Sequence, residues 1–316
     1  MTRNIAPRER PALGLLPGLV DDAYLWTHQV KHFAEVAQPA VADITAEERI
    51  EAMARSVLDQ APDRFALAGF SLDGSVSLAL MRLVPERVQK LALLCASARP
   101  DTPARREERR THMADVADDP ASVERVIRNE IALVIHPERV RESAFAEAIV
   151  TMALRQGPAV YARQSRACMA RPDSRPSFSA ILCPTLILSG REDRTLPPTL
   201  SEAMTEGIGK ACHVVIEDCG HYAPIERPPA VTGCCVSDFS IRDGGWQRRA
   251  ADLPELRSHH DPSEVADRPE PSGGGDIRNR RTCLPHACQL GGGVAFAAAG
   301  GPGLRSGTHG RSSATC

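Results

Sequence analysis

A chain of 316 residues is long enough to bury a sizeable core, as one large α/β domain or two small ones. Apolar residues at 42% and charged residues at 25% are near globular averages, while 4% aromatics points to a core of Leu, Val and Ala. A formal charge of -2, from 38 basic and 40 acidic side chains, gives no field to draw nucleic acid or an anionic membrane, so a small neutral ligand suits the chain better.

The N-terminal run to Val20 has basic residues before apolar ones, but Pro17 and Gly18 break the apolar part, which reads as a strand and loop rather than a signal peptide. No stretch approaches the roughly 18 apolar residues of a membrane span. Of ten cysteines, Cys234, Cys235, Cys283, Cys288 and Cys316 fall in the last quarter and the rest are scattered. That pattern favours a reducing compartment, and hence a cytoplasmic protein, over a disulfide framework.

In chain order, nearly continuous apolar runs mark strands at 12–16, 39–43, 65–69, 90–95, 184–190 and 213–217. Such runs belong to strands buried on both faces, and the helical stretches between them make βαβ units with a parallel sheet. Ile50, Met53, Ala54, Val57 and Leu58 recur at helical spacing within 45–61, which predicts a crossover helix, and a second follows the third strand at 72–83. From about 101 to 178 the strand pattern stops and the chain becomes helical and charged, as expected of an inserted helical lid. Its RREERR run at 105–110 has mixed signs and reads as a solvated helix face.

Beyond Val231 the character changes: 14 of the 23 glycines lie in 233–316 and hydrophobic periodicity vanishes. The expected organisation is a domain over 1–232 and a low-complexity, disordered or frame-altered tail over 233–316, with too little apolar surface to offset the entropy of ordering. His259, His260, Cys283, His286 and Cys288 in that tail match no spacing used by structural zinc sites, and no metal is expected.

The stretch from Arg64 to Val88 carries the chemistry. An apolar strand runs into Gly69-Phe70-Ser71-Leu72-Asp73-Gly74 and then a helix, the form of a nucleophile elbow, in which a strained serine exposes its Oγ and small neighbours let strand and helix approach. Asp73 stands where the second small residue is expected, and Gly74 comes one residue late. Asp193 and His221 each lie in a loop just after a strand, so the order is Ser, Asp, His. An imidazole can take and return the Ser71 proton, and Asp193 can fix its tautomer. Glu192 and Asp218 are competing acids, the first facing away and the second too close in sequence to His221. The backbone N–H groups of Leu72, at a helix start, and Leu19, in the loop after the first strand, are the expected oxyanion donors.

On LLPGLVDDAYLW, GFSLDG, ARPDSRP with CPTLILSGREDRTLPP, and IEDCGHYAPIERPP, residues 12–231 resemble the α/β-hydrolase fold family, particularly compact bacterial esterase and enol-lactonase-like members. The resemblance implies a parallel sheet flanked by helices and an acyl-enzyme at Ser71. It also implies a small ester, lactone or thioester substrate and neither cofactor nor metal. Oligomeric state is not read from it. Aminopeptidase or C–C bond hydrolase chemistry fits the same scaffold, because fold and triad do not fix the scissile bond. Asp73 and the tail motivate another reading, a catalytically impaired relative that binds a ligand or is nonfunctional.

Overall fold

The computed structural model describes residues 10–119 and 121–240. Six strands, β1 (Ala12–Leu16), β2 (Gln38–Val41), β3 (Phe65–Phe70), β4 (Val88–Leu94), β5 (Thr185–Gly190) and β6 (Ala211–Ile216), form one sheet in the order β2-β1-β3-β4-β5-β6. Every pairing is parallel, as the continuous apolar runs require. The pleat sends Ala66, Ala68 and Phe70 of β3 to one core and Phe65 and Leu67 to another. Both faces of the sheet are therefore covered.

On one face lie α2 (Ile50–Gln60) and α3 (Leu72–Leu83), with Met204 of α7 (Pro198–Gly207) in the same core. The α2 helix begins at Ile50 and not at 45, because the Asp43 carboxylate accepts from the backbone N–H of Thr45 at 2.9 Å and its hydroxyl at 2.7 Å, which favours a turn there. On the other face, α1 (Thr27–Phe33) packs with the C-terminal helix α9 (Pro228–Ser240), which follows the single turn α8 (Ala223–Glu226).

Helix α9 carries the domain past the expected boundary at 232. Val231, Cys234 and Cys235, at spacing i, i+3, i+4, are buried in the core, so the change in composition after Val231 does not end the packed structure. The rest of the expected tail, with its glycine runs and His/Cys residues, lies outside the described residues.

The insertion between β4 and β5 is helical as expected: α4 (Pro103–Asp118), α5 (Ser122–Val134) and α6 (Ser143–Ala170). The α6 helix breaks at Gly157 (φ 76°, ψ 178°) followed by Pro158, whose missing N–H and fixed φ interrupt the hydrogen-bond ladder. Met152 is buried in the core. Among the described residues no helix is long and apolar enough to cross a membrane.

Candidate active site

From β1 the chain crosses outward to β2 and then returns to the opposite side of β1 to make β3. The carboxyl ends of β1 and β3 therefore flank a topological switch point, where open α/β sheets leave a crevice. Ser71 sits on the β3 side of it and the loop with Leu19 on the β1 side.

Ser71 has φ 53° and ψ -116°, a conformation costing about 1–3 kcal/mol that the surroundings must hold. Its N–H donates to the Leu94 carbonyl at 2.9 Å, and its own carbonyl accepts from Gly74 at 3.1 Å. A Cβ at Gly69 would lie 2.2 Å from Ser77 Oγ and 2.5 Å from the Asp73 carbonyl oxygen, so only glycine lets β3 and α3 meet this closely. Gly74 has its own task, since a Cβ there would stand 2.3 Å from the Cβ of Ala96, in the segment leaving β4. The glycine that comes one residue late thus serves the packing of α3 on β4.

The loops after β5 and β6 bring the other two residues to Ser71. His221 Nε2 lies 2.8 Å from Ser71 Oγ, and its Nδ1 lies 2.7 Å from Asp193 Oδ2. A carboxylate can only accept, so Nδ1 carries the proton toward Asp193 and Nε2 is left to accept from the serine hydroxyl. The other Asp193 oxygen accepts from the N–H groups of Thr195 at 2.9 Å and Leu196 at 2.8 Å. Burial disfavours charge on the imidazole, but the Asp193 carboxylate, through its charge and hydrogen bond, outweighs it and raises the His221 pKa above 6.5.

The competing acids do other work. Glu192 turns away and accepts from the backbone of Cys219 at 2.9 Å, tying the histidine loop to the β5 loop. Asp218, with φ 50°, pairs with Arg227. Buried Glu226 accepts from the backbone of His136 at 2.9 Å, and the His221 N–H donates to the Val134 carbonyl at 2.9 Å, so the lid also braces this loop.

Asp73 is fully buried, and neither of its carboxylate oxygens has a hydrogen-bond partner among the described residues. Burial, reinforced by the nearby charge of Asp21, pushes its pKa well above 3.8. Burial without a hydrogen-bond donor thus disfavours the charged form of Asp73 at the elbow. Sequence reasoning passed over Asp21, two residues after Leu19 in the loop after the first strand. Its carboxyl is buried, accepts from the Tyr222 hydroxyl at 3.1 Å, and is pushed by burial to a pKa of about 7.

Leu19, Ser71, Leu72 and His221 line one cavity of about 410 Å³. Helix α6 pins the loop that carries Leu19: Gln164 accepts from the Val20 N–H at 2.6 Å, Gln156 donates to the Asp21 carbonyl at 3.3 Å, and Arg155 pairs with Asp22 at 2.6 Å. Fixing that loop is what a preformed oxyanion donor needs.

The RREERR expectation needs correction at two positions. Arg110 and Glu107 are exposed, but Arg105 and Arg109, one turn apart, face the cavity, and Arg109 is buried against Asp101 at 2.8 Å. Among the described residues, two clusters have side chains close enough to share a metal ion, Cys95 with Asp193 and His221, and Glu108 with His112 and Glu130. Burial keeps the Cys95 thiol protonated, and Arg105 already engages both Glu108 and Glu130.

A family model described as the alpha/beta hydrolase family matches residues 15–232. Pimeloyl-[acyl-carrier protein] methyl ester esterase from Nitrosomonas europaea is 24% identical over 192 residues, 58% of this chain and 75% of that protein. The enzyme of the same name from Klebsiella pneumoniae is 26% identical over 186 residues, 57% and 72% of the two chains. Among solved structures, a thermophilic esterase from Thermogutta terrifontis superposes with a TM-score of 0.65 at 27% identity, covering 72% of this chain and 89% of the other. An enol-lactonase from Burkholderia xenovorans superposes with a TM-score of 0.64 at 21% identity over 73% and 92%.

Proposed function

The chain belongs to the alpha/beta hydrolase family, and on that premise we propose that it is a serine hydrolase cleaving a small carboxylic ester, lactone or thioester through an acyl-enzyme at Ser71. The observation that carries this is the continuous chain Ser71 Oγ, His221 and Asp193, at 2.8 and 2.7 Å. The similarity to esterases and an enol-lactonase supports the choice of ester-type bonds.

In the first half-reaction His221 Nε2 takes the Ser71 proton as Oγ bonds to the substrate carbonyl carbon. The tetrahedral oxyanion is held by the N–H groups of Leu19 and Leu72. Losing one such donor typically slows the reaction about 100- to 1,000-fold. The carbon to leaving-group bond then breaks, and His221 returns the proton to the departing oxygen or sulfur. In the second half a water attacks the acyl carbon, His221 takes a proton from it, and the acid leaves as Ser71 regains its hydrogen.

The impaired-relative reading rests on Asp73. Burial disfavours a charge on Asp73 that could oppose an oxyanion, which supports a working site over a damaged one. Short-chain 4-nitrophenyl esters test the proposal. Wild-type protein should turn them over with burst kinetics, and Ser71→Ala should lower kcat by about 10⁶-fold, in line with loss of a serine nucleophile. Full turnover by folded Ser71→Ala protein would overturn it.

A further inference from the structure

The net charge of the chain hides a local excess of positive charge at Arg109 and Arg171. Four arginines, Arg99, Arg105, Arg109 and Arg171, line the cavity that contains Ser71 and His221. The acids lining the same cavity are Asp21, Asp101 and Glu130. Asp101 is shared, its Oδ2 accepting from Arg109 Nε at 2.8 Å and its Oδ1 from Arg171 Nη2 at 2.7 Å. One carboxylate therefore holds two guanidinium groups whose side chains are only 11% and 10% exposed.

Two cations on one anion, away from bulk water, leave an uncompensated positive charge where the effective dielectric is low. The Nε of Arg171 is buried and has no acceptor among the described residues. Arg105 pairs with Glu130 at 3.3 Å and with Glu108, which lies outside the cavity lining. Asp21, with its pKa pushed to about 7, supplies at most part of the missing negative charge near neutral pH. Ile127, Val134, Ile149, Leu196 and Leu200 complete an apolar wall.

We infer that the substrate carries a carboxylate remote from its scissile bond, and that Arg171 with Arg109, both held by Asp101, receives it. This rests on the hydrolase reading for what happens at Ser71, but the anion site itself does not. A planar guanidinium suits a carboxylate because it offers paired N–H donors in a fixed fork, and charge-assisted bonds of this kind are stronger than neutral ones. The site thus selects a half-ester, or a lactone bearing an acid side chain, over the neutral ligand that net charge alone favours.

Monomethyl glutarate and dimethyl glutarate differ by this one charge. Their affinities for full-length Ser71→Ala protein, which holds either ester without turnover, can be compared by calorimetry. The monoacid should bind at least about tenfold tighter, and adding Arg171→Met should remove that preference while leaving dimethyl glutarate binding within about twofold. Arg171→Lys should recover part of it, since the charge returns without the fork. Equal affinities of the two esters, or loss of both on Arg171→Met, would overturn the anion site. Hydrolysis by the wild-type protein is read separately: a binding preference without turnover would sustain the anion site and sink the hydrolase reading.

Discussion

The loop after β5 and the first turn of α3 each bury an aspartate beside Ser71, and they treat it in opposite ways. Asp193 accepts from His221, Thr195 and Leu196. Asp73 accepts from nothing described, and burial raises its pKa. Burial alone therefore does not set the role of a carboxylate. A carboxylate given donors is an anion that can steer an imidazole, and one denied them is a neutral side chain whose cost falls on folding.

The largest effect expected from this contrast is at Asp193. Asp193→Asn keeps the shape but can present an N–H to His221 Nδ1 and impose the wrong tautomer, so kcat should drop by about 10⁴-fold with the fold intact. A loss below tenfold on the short esters would show that another group orients the histidine.

At Asp73 the expected change is in stability. A carboxyl whose folded pKa is raised costs nothing below the unfolded value of about 3.9, and from there its cost grows by about 1.4 kcal/mol per pH unit until the folded pKa is reached. Asp73→Ala should therefore raise the unfolding free energy by about 1–3 kcal/mol at pH 8, and by less at pH 5. Denaturant melts at the two pH values measure this; a destabilised variant, or a gain that shrinks as pH rises, would contradict it.

The smallest effect is electrostatic. His221 must be neutral to act as base, so kcat/KM should fall on acidification through a pKa above 6.5. Part of the rise comes from the charge of Asp21, so Asp21→Asn should move that acid limb to lower pH. A limb that stays in place or moves upward would remove Asp21 from the account.

The contrast also separates what was legible in the sequence from what was not. The inner strands were visible because burial on both faces demands unbroken apolar runs, while the half-buried edge strands β2 and β6 showed through short ones; the meeting of Ser71, Asp193 and His221 was legible because each follows a strand. Chain order near strand ends is a local signal. The environment of Asp73 is not, since its orphaned oxygens depend on α3 pressed against the sheet. Arg105 and Arg109 were hidden in a run of mixed sign, and only the packing of α4 over the cavity, with Asp101 beneath, tells the inward positions from exposed Glu107 and Arg110. The burial of Cys234 and Cys235 was hidden for a related reason: they follow the change in composition but belong to a buried helix face.

The central claim is that Ser71 is an activated nucleophile, and labelling by a fluorophosphonate followed by mass spectrometry tests it most directly. The account predicts one adduct on Ser71, absent in Ser71→Ala and abolished in His221→Ala. Folded wild-type protein that takes no label, or takes it at another residue, would contradict it.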